Sequence, residues 1–191
     1  IVEAAGGFAA HYSGDVRQRE VVHDLVEATV ERLGGLDIAF NNAGIGAPRT
    51  LIADTSEEDL ARVLDVNLFG VWHCMAEELR HMAAFGGGVI VNSASATALR
   101  AAPGLAAYAM SKAAVVQLSR TAAVEYADRR IRVFALCPGP IRTPMLERLP
   151  AETLESLARG VPIGRLGAVE EVARVVVWLC SPEASYMTGA V

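Results

Sequence analysis

Three side chains near the middle of the sequence have the types and spacing to move a proton at an oxygen. They are Ser95, Tyr108 thirteen residues later, and Lys112 four beyond that. On a helix, positions i and i+4 share a face, so Tyr108 and Lys112 can point into one cleft. A free phenol, with a pKa of about 10, is a poor acid or base at neutral pH. A neighbouring ammonium favours the phenolate and brings it towards the working range. Ser95 can then donate a hydrogen bond to a carbonyl or alkoxide oxygen held beside Tyr108. Taken alone, Tyr-x-x-x-Lys also describes an ordinary amphipathic helix, and that alternative stays open at this point.

Other residues gather at the ends of apolar runs. Asn41, Asn42, Ala43 and Gly44 follow one such run, where amides and a glycine allow a flat ligand to approach the backbone closely. Gly44 and Gly46 give a Gly-x-Gly, but Pro48 interrupts it and the third glycine of a phosphate loop is missing. Cys137, Pro138, Gly139, Pro140, Ile141, Arg142, Thr143 and Pro144 follow another run. Their prolines fix a rigid turn, either a pocket edge or a plain connection. Asn67 lies between Val66 and Leu68 in a helical pattern, although asparagine is a mediocre helix-interior residue. It is either a satisfied core amide or the holder of a water.

The elements that must position these groups alternate. Residues 1–5 read as a helix end stopped by Gly6 and Gly7, and residues 8–12 as a strand. Asp15, with Gln18 as partner, reads as the cap of a helix whose buried stripe is Val22, Val26, Thr29 and Leu33 and which ends at Gly34. Residues 36–40 read as a strand. Ser56 with Asp59 opens a long helix bearing Leu60, Val63, Leu64, Leu68, Val71, Met75 and Leu79. Gly86 to Gly88 lead to a strand at 89–92, a helix at about 108–127, a strand at 131–136 and a helix at 170–180. Strands apolar on both faces and followed by helices predict an open α/β fold with a parallel sheet, whose ligands bind at the carboxyl ends of the strands.

At 191 residues, with 52% apolar and 20% charged, the chain suits one domain, residues 1–191. A net charge of −5 argues against a nucleic-acid partner. Cys74, Cys137 and Cys180 form neither a disulfide framework nor a zinc site, and His11, His23, His73 and His81 are scattered, so no metal is expected. No apolar run reaches the roughly 18 residues of a spanning helix. Glu3 near the start is unlike a signal peptide, so a cytoplasmic location is expected. The chain opens at Ile1 in the middle of a pattern and reads as a fragment.

Together, these pieces resemble the short-chain dehydrogenase/reductase family, from about Gly7 to the end. The likeness rests on Asp15-Val16, Asn41-Asn42-Ala43-Gly44, Asn67 with Gly70, Ser95, Tyr108 with Lys112, Pro138-Gly139 with Thr143, Pro162-Ile163-Gly164-Arg165, Glu170-Glu171-Val172-Ala173 and Tyr186-Met187-Thr188-Gly189. Each is common by chance; the ordered set is specific. The resemblance implies a Rossmann-type, doubly wound parallel sheet in which the first β-α-β unit, with its glycine-rich turn, and the end of the last strand (begun near Tyr186) are absent from this sequence. It also implies NAD- or NADP-dependent interconversion of a secondary alcohol and a ketone. Tyr108 would then be the acid/base, Lys112 would tune it and hold the nicotinamide ribose, Ser95 would orient the substrate oxygen, and Asn67 would hold a relay water. Asp15 and Val16 would meet the adenine; Asn42, Ala43 and Gly44 would underlie its ribose; Pro138, Gly139, Ile141 and Thr143 would edge the nicotinamide. Residues 142–168 would cover a small-molecule substrate with some apolar body, and the long helices would pack a homotetramer. The competing reading is a catalytically silent module that keeps the fold for binding or scaffolding.

Overall fold

The structure, a computed structural model, describes residues 2–191. Its sheet has three strands, β1 (Ile38–Asn41), β2 (Gly88–Ser93) and β3 (Ile131–Leu136), parallel and in the order β1-β2-β3. Parallel neighbours need crossovers, and helices supply them. Between β1 and β2 run α2 (Glu57–Leu64) and α3 (Gly70–Phe85); between β2 and β3 runs α4 (Ala106–Glu125). The helix α1 (Arg19–Leu33) precedes the sheet, and α5 (Ala151–Arg159) and α6 (Val169–Cys180) follow it.

Both faces of β2 and β3 are covered, whereas β1 is covered on one face only, with Ile38 and Phe40 exposed on the other. Ala39, Ile90 and Val133 pack with Met75, Leu79 and Met82 of α3 and Val115 and Val116 of α4. On the opposite face Val89, Val91 and Phe134 pack with Leu179 of α6. This two-sided burial is why β2 and β3 carry apolar residues at consecutive positions, and it makes the sheet doubly wound, as the sequence led us to expect. Ser56 caps α2 by accepting from the Asp59 N–H, also as expected. The turn into β2 requires glycine at Gly87, where φ is +105° and a Cβ would come within 2.5 Å of the Arg130 carbonyl oxygen.

Several expectations fail for identifiable reasons. Residues 8–12 form no strand: their backbone finds no ladder partner and Phe8 is 70% exposed. Asp15 caps no helix, because its carboxylate is occupied by Arg17 (Nη2 at 2.6 Å) and α1 begins only at Arg19. Leu33 is 51% exposed, so the buried stripe of α1 stops short of it. The long helix is interrupted by a π-turn at Asp65–Phe69, centred on Asn67. No strand is assigned from Tyr186, although Gly189 N donates to Val133 O and Ala135 N to Ala190 O along the outer edge of β3. The 3-10 turn Glu3–Ala5 is closed by Gly6, as expected; Ile1 lies outside the described residues.

Two adjacent glutamates on α3 tie the layers together. Glu77 gathers Arg19 and His23 from α1 and Arg80 from its own helix, docking α1 on α3. Glu78 is buried and accepts from Asn41 Nδ2 at 3.0 Å. The same Asn41 nitrogen donates to Asn92 Oδ1 at 2.9 Å, and Asn92 donates to Ser119 Oγ at 2.9 Å. One polar chain thus crosses α3, β1, β2 and α4 beneath the strand ends. Burial pushes the Glu78 carboxyl up to about 7, against the pull of the Asn41 bond. A carboxyl raised on folding contributes stability that is complete below its ordinary 4.5 and is lost as pH climbs through 7. The unfolding free energy of the native protein should therefore fall relative to Glu78→Gln by up to about 3 kcal/mol between those pH values. Parallel denaturant titrations check this, and a pH-independent difference contradicts it.

Candidate active site

The carboxyl ends of the three strands converge with the first turns of α4. Lys112, two turns into α4, is 4% exposed, and its Nζ donates to the Ser93 carbonyl at the end of β2, 2.7 Å away. It is the only lysine in the 191 residues. Burial brings its pKa down to about 8, with the Cys137 sulfur opposing. Tyr108, one turn earlier, presents its ring 5.9 Å from this nitrogen, so the i, i+4 spacing does bring the pair together. Tyr108 titrates in the opposite direction from the sequence argument: burial raises its pKa, and the Ser95 hydroxyl, not Lys112, is the group acting against the rise.

Ser95 begins the short turn Ala96–Ala98 just beyond β2. Its Oγ accepts from Thr97 N at 3.2 Å and from Thr97 Oγ1 at 3.0 Å. The turn is fixed to the third strand end, since Ala94 N donates to Leu136 O and Ala96 N to Pro138 O. Pro138 therefore anchors the serine turn. Cys137 beside it is a half-buried thiol raised by burial, with a Ser95 backbone bond working the other way.

Asn67, fully buried in the π-turn, clasps the loop after β1. Ile45 N donates to its Oδ1 at 2.7 Å, while its Nδ2 donates to Ile45 O at 3.0 Å and to Ser111 Oγ at 3.3 Å. Ser111 Oγ in turn donates to Tyr108 O at 2.7 Å. The core-amide alternative thus describes its visible bonds, with one Oδ1 lone pair left over. Gly44 passes so close that a Cβ there would lie 3.3 Å from Asn67 Oδ1 and 3.4 Å from Lys112 Nζ. Asn42 and Ala43 are exposed on the same loop.

Ile141 pairs with Gly167, where Arg142 N donates to Gly167 O and Gly167 N to Pro140 O. This closes the intervening segment, including α5, into a loop tied at its base, and the bidentate Arg165–Glu171 pair at 2.7 Å braces the tie. Thr143 Oγ1 accepts from Leu146 N, leaving its own hydrogen free. Asp15 borders a recess with Asp65, Phe69 and His73, and the Val16 carbonyl is taken by His73 Nδ1 at 3.1 Å.

Ser95, Tyr108, Lys112, Asn67, Gly44 and Pro138 therefore meet in one region, and Asp15 and Val16 flank the outer end of the Asn67 turn. Reasoning from sequence missed Thr97, Ser93, Ser111 and the Glu78-Asn41-Asn92 chain. Thr97 alone carried a local signal, a hydroxyl two residues after a serine that starts a turn. Among the described residues no His/Cys/Asp/Glu group is arranged to hold a metal, and no helix is long and apolar enough to cross a membrane.

Over its whole length the chain is similar to known proteins. A family model described as enoyl-(acyl carrier protein) reductase matches residues 1–191. The chain is 40% identical over its whole length to 78% of a 3-oxoacyl-[acyl-carrier-protein] reductase of Thermotoga maritima. It is 40% identical over 99% of its length to 74% of a cyclohexanol dehydrogenase of an Acinetobacter strain. Among solved structures, an NAD+-bound xylitol dehydrogenase superposes with a TM-score of 0.94 at 33% identity, covering 98% of this chain and 78% of that one. ElxO with NADP bound gives 0.91 at 32% identity, covering 95% and 75%. With the strand-end geometry, these matches lead to one conclusion: the chain belongs to the short-chain dehydrogenase/reductase family.

Proposed function

We propose that the protein is an NAD- or NADP-dependent oxidoreductase that interconverts a secondary alcohol and a ketone, with Tyr108 exchanging the proton. The observation that carries this reading is the buried Lys112 ammonium beside Tyr108 and Ser95 at the ends of parallel strands. Relatives named as dehydrogenases and reductases support the reaction class, and solved relatives bound to NAD+ and to NADP support the cofactor.

The residues present suit a dinucleotide. Lys112 Nζ has three N–H donors and spends one on Ser93 O, so two remain for the paired hydroxyls of a ribose. Asn42, Ala43 and Gly44 offer a close backbone at the end of β1. Pro138, Gly139 and Ile141 give a rigid edge beyond β3, and Thr143 has a hydrogen to donate to a carboxamide. Asp15 and Val16, on the loop ahead of α1, would meet the adenine. The cofactor supplies the hydride acceptor or donor, and the protein supplies position and charge.

In oxidation, Ser95 donates a hydrogen bond to the substrate oxygen while Tyr108, as phenolate, takes its proton. In reduction the phenol returns that proton to the oxygen. Once a substrate and cofactor exclude water, the fixed ammonium of Lys112 favours the phenolate. Asn67 holds the Ile45 backbone still and offers its remaining Oδ1 lone pair to a relay water. The tied loop at 142–168 covers the substrate, with Met145, Leu146 and Leu149 supplying apolar contact for its body. The chain acts as a single domain, residues 1–191, in a cytosolic homotetramer. Exposed Phe69, Trp72 and Met110 along the long helices supply apolar surface for that packing. No nucleic-acid, membrane or metal partner enters the proposal.

Turnover is read from nicotinamide absorbance with cyclohexanol, cyclohexanone and a 3-oxoacyl thioester as probes. Tyr108→Phe should lower kcat by at least about 10²-fold, the scale of general acid/base help. Undiminished turnover in that variant would reject the mechanism. Gly44→Ala, whose methyl would press on Asn67 Oδ1 and Lys112 Nζ, should lose activity and about 1 kcal/mol of stability, as overpacked sites do.

A further inference from the structure

We infer that Thr97 is a positioning residue that makes Ser95 a hydrogen-bond donor only, an inference that rests on the alcohol/ketone reading of the site. A serine hydroxyl has one hydrogen to give and two lone pairs to accept with. Ser95 Oγ already accepts twice from the same neighbour, from the Thr97 backbone N–H at 3.2 Å and from the Thr97 hydroxyl at 3.0 Å. With both lone pairs used, the Ser95 hydroxyl has one remaining function, to donate outward from the turn.

The consequence falls on the alcohol. A bound alcohol carries a proton that could be given to either of two oxygens, Ser95 Oγ or the Tyr108 phenolate. Only the second leads to reaction. By filling the Ser95 lone pairs, Thr97 closes the wrong acceptor, so the alcohol accepts from Ser95 and donates to Tyr108. A ketone has no such proton, and for it Ser95 is a donor whether or not Thr97 restrains it. The same logic applies to Tyr108: while Ser95 cannot accept, the neutral phenol gains nothing from it, and only the phenolate does. This agrees with Ser95 acting to lower the Tyr108 pKa against burial.

The shape and the hydroxyl of Thr97 separate cleanly in two variants. Thr97→Val keeps the branched shape and loses the hydroxyl; Thr97→Ser keeps the hydroxyl and loses the methyl. In alcohol oxidation, Thr97→Val should lower kcat and KM together by roughly 2- to 10-fold, the range of one hydrogen bond. That pattern is unproductive binding, with kcat/KM conserved. Ketone reduction by the same variant should change less, and Thr97→Ser should behave like the native enzyme in both directions. Equal losses of kcat/KM in both directions, no loss in Thr97→Val, or a matching loss in Thr97→Ser would each overturn the inference. A second readout needs no turnover: the ultraviolet titration of Tyr108, taken as the difference from the same protein carrying Tyr108→Phe. Thr97→Val should move that midpoint upward, because the neutral phenol gains Ser95 as an acceptor, and Thr97→Ser should leave it in place. An unmoved midpoint in Thr97→Val would contradict the role of Thr97, even if no tested alcohol or ketone turned over and the oxidoreductase reading had itself failed.

Discussion

Lys112 Nζ lies 2.7 Å from the Ser93 carbonyl, and this bond joins the helix that carries Tyr108 to the strand end that leads into Ser95. An ammonium withdrawn from water is costly unless it is paired, and here one carbonyl and no carboxylate receives it. The cost shows as a pKa drawn down to about 8. Every other basic residue of the seventeen Lys and Arg is an arginine. A guanidinium is planar, always charged and shaped for bidentate partners, so it would not fit a single carbonyl in so small a space. A buried cation with so little compensation marks a candidate functional position.

Around that bond the fold is built to leave little freedom. Gly44 passes close to both the lysine nitrogen and Asn67, and the π-turn places Asn67 so that it grips both polar groups of the Ile45 backbone. Ser111 links the same asparagine to the Tyr108 carbonyl. Beneath them, the Glu78-Asn41-Asn92-Ser119 chain crosslinks α3 and α4 to β1 and β2 through buried, hydrogen-bonded groups. Such a chain is stabilising only when complete, so it fixes the strand register one residue before the loop that begins at Asn42.

Much of this was legible in the sequence wherever contacts lie within one element. The i, i+4 relation of Tyr108 and Lys112, the Ser56 cap and the two-faced apolar strands β2 and β3 are local consequences of helix and strand periods and appear as predicted, whereas β1 leaves Ile38 and Phe40 exposed. Contacts that join elements were not legible. Glu78 and Asn41 are 37 residues apart and Asn41 and Asn92 are 51 apart, and no spacing rule relates them. The strand expected at 8–12 failed because an extended run needs a partner edge, which composition does not supply. The cap expected from Asp15 failed because Arg17, two residues away, competes for the same carboxylate. Lys112 was expected to lower the Tyr108 pKa, but burial raises it and Ser95, not Lys112, opposes the rise; burial belongs to the assembled fold.

Because Lys112 is the sole lysine of these 191 residues, lysine labelled at the side-chain nitrogen and adjoining carbon gives one signal for it in a nuclear magnetic resonance titration. A midpoint near 8, well below the ordinary 10.5, is the result that a buried ammonium held by a single carbonyl predicts. A midpoint at 10.5, with the free exchange of a solvated amine, would contradict it and remove the link on which the Ser95 and Tyr108 geometry depends.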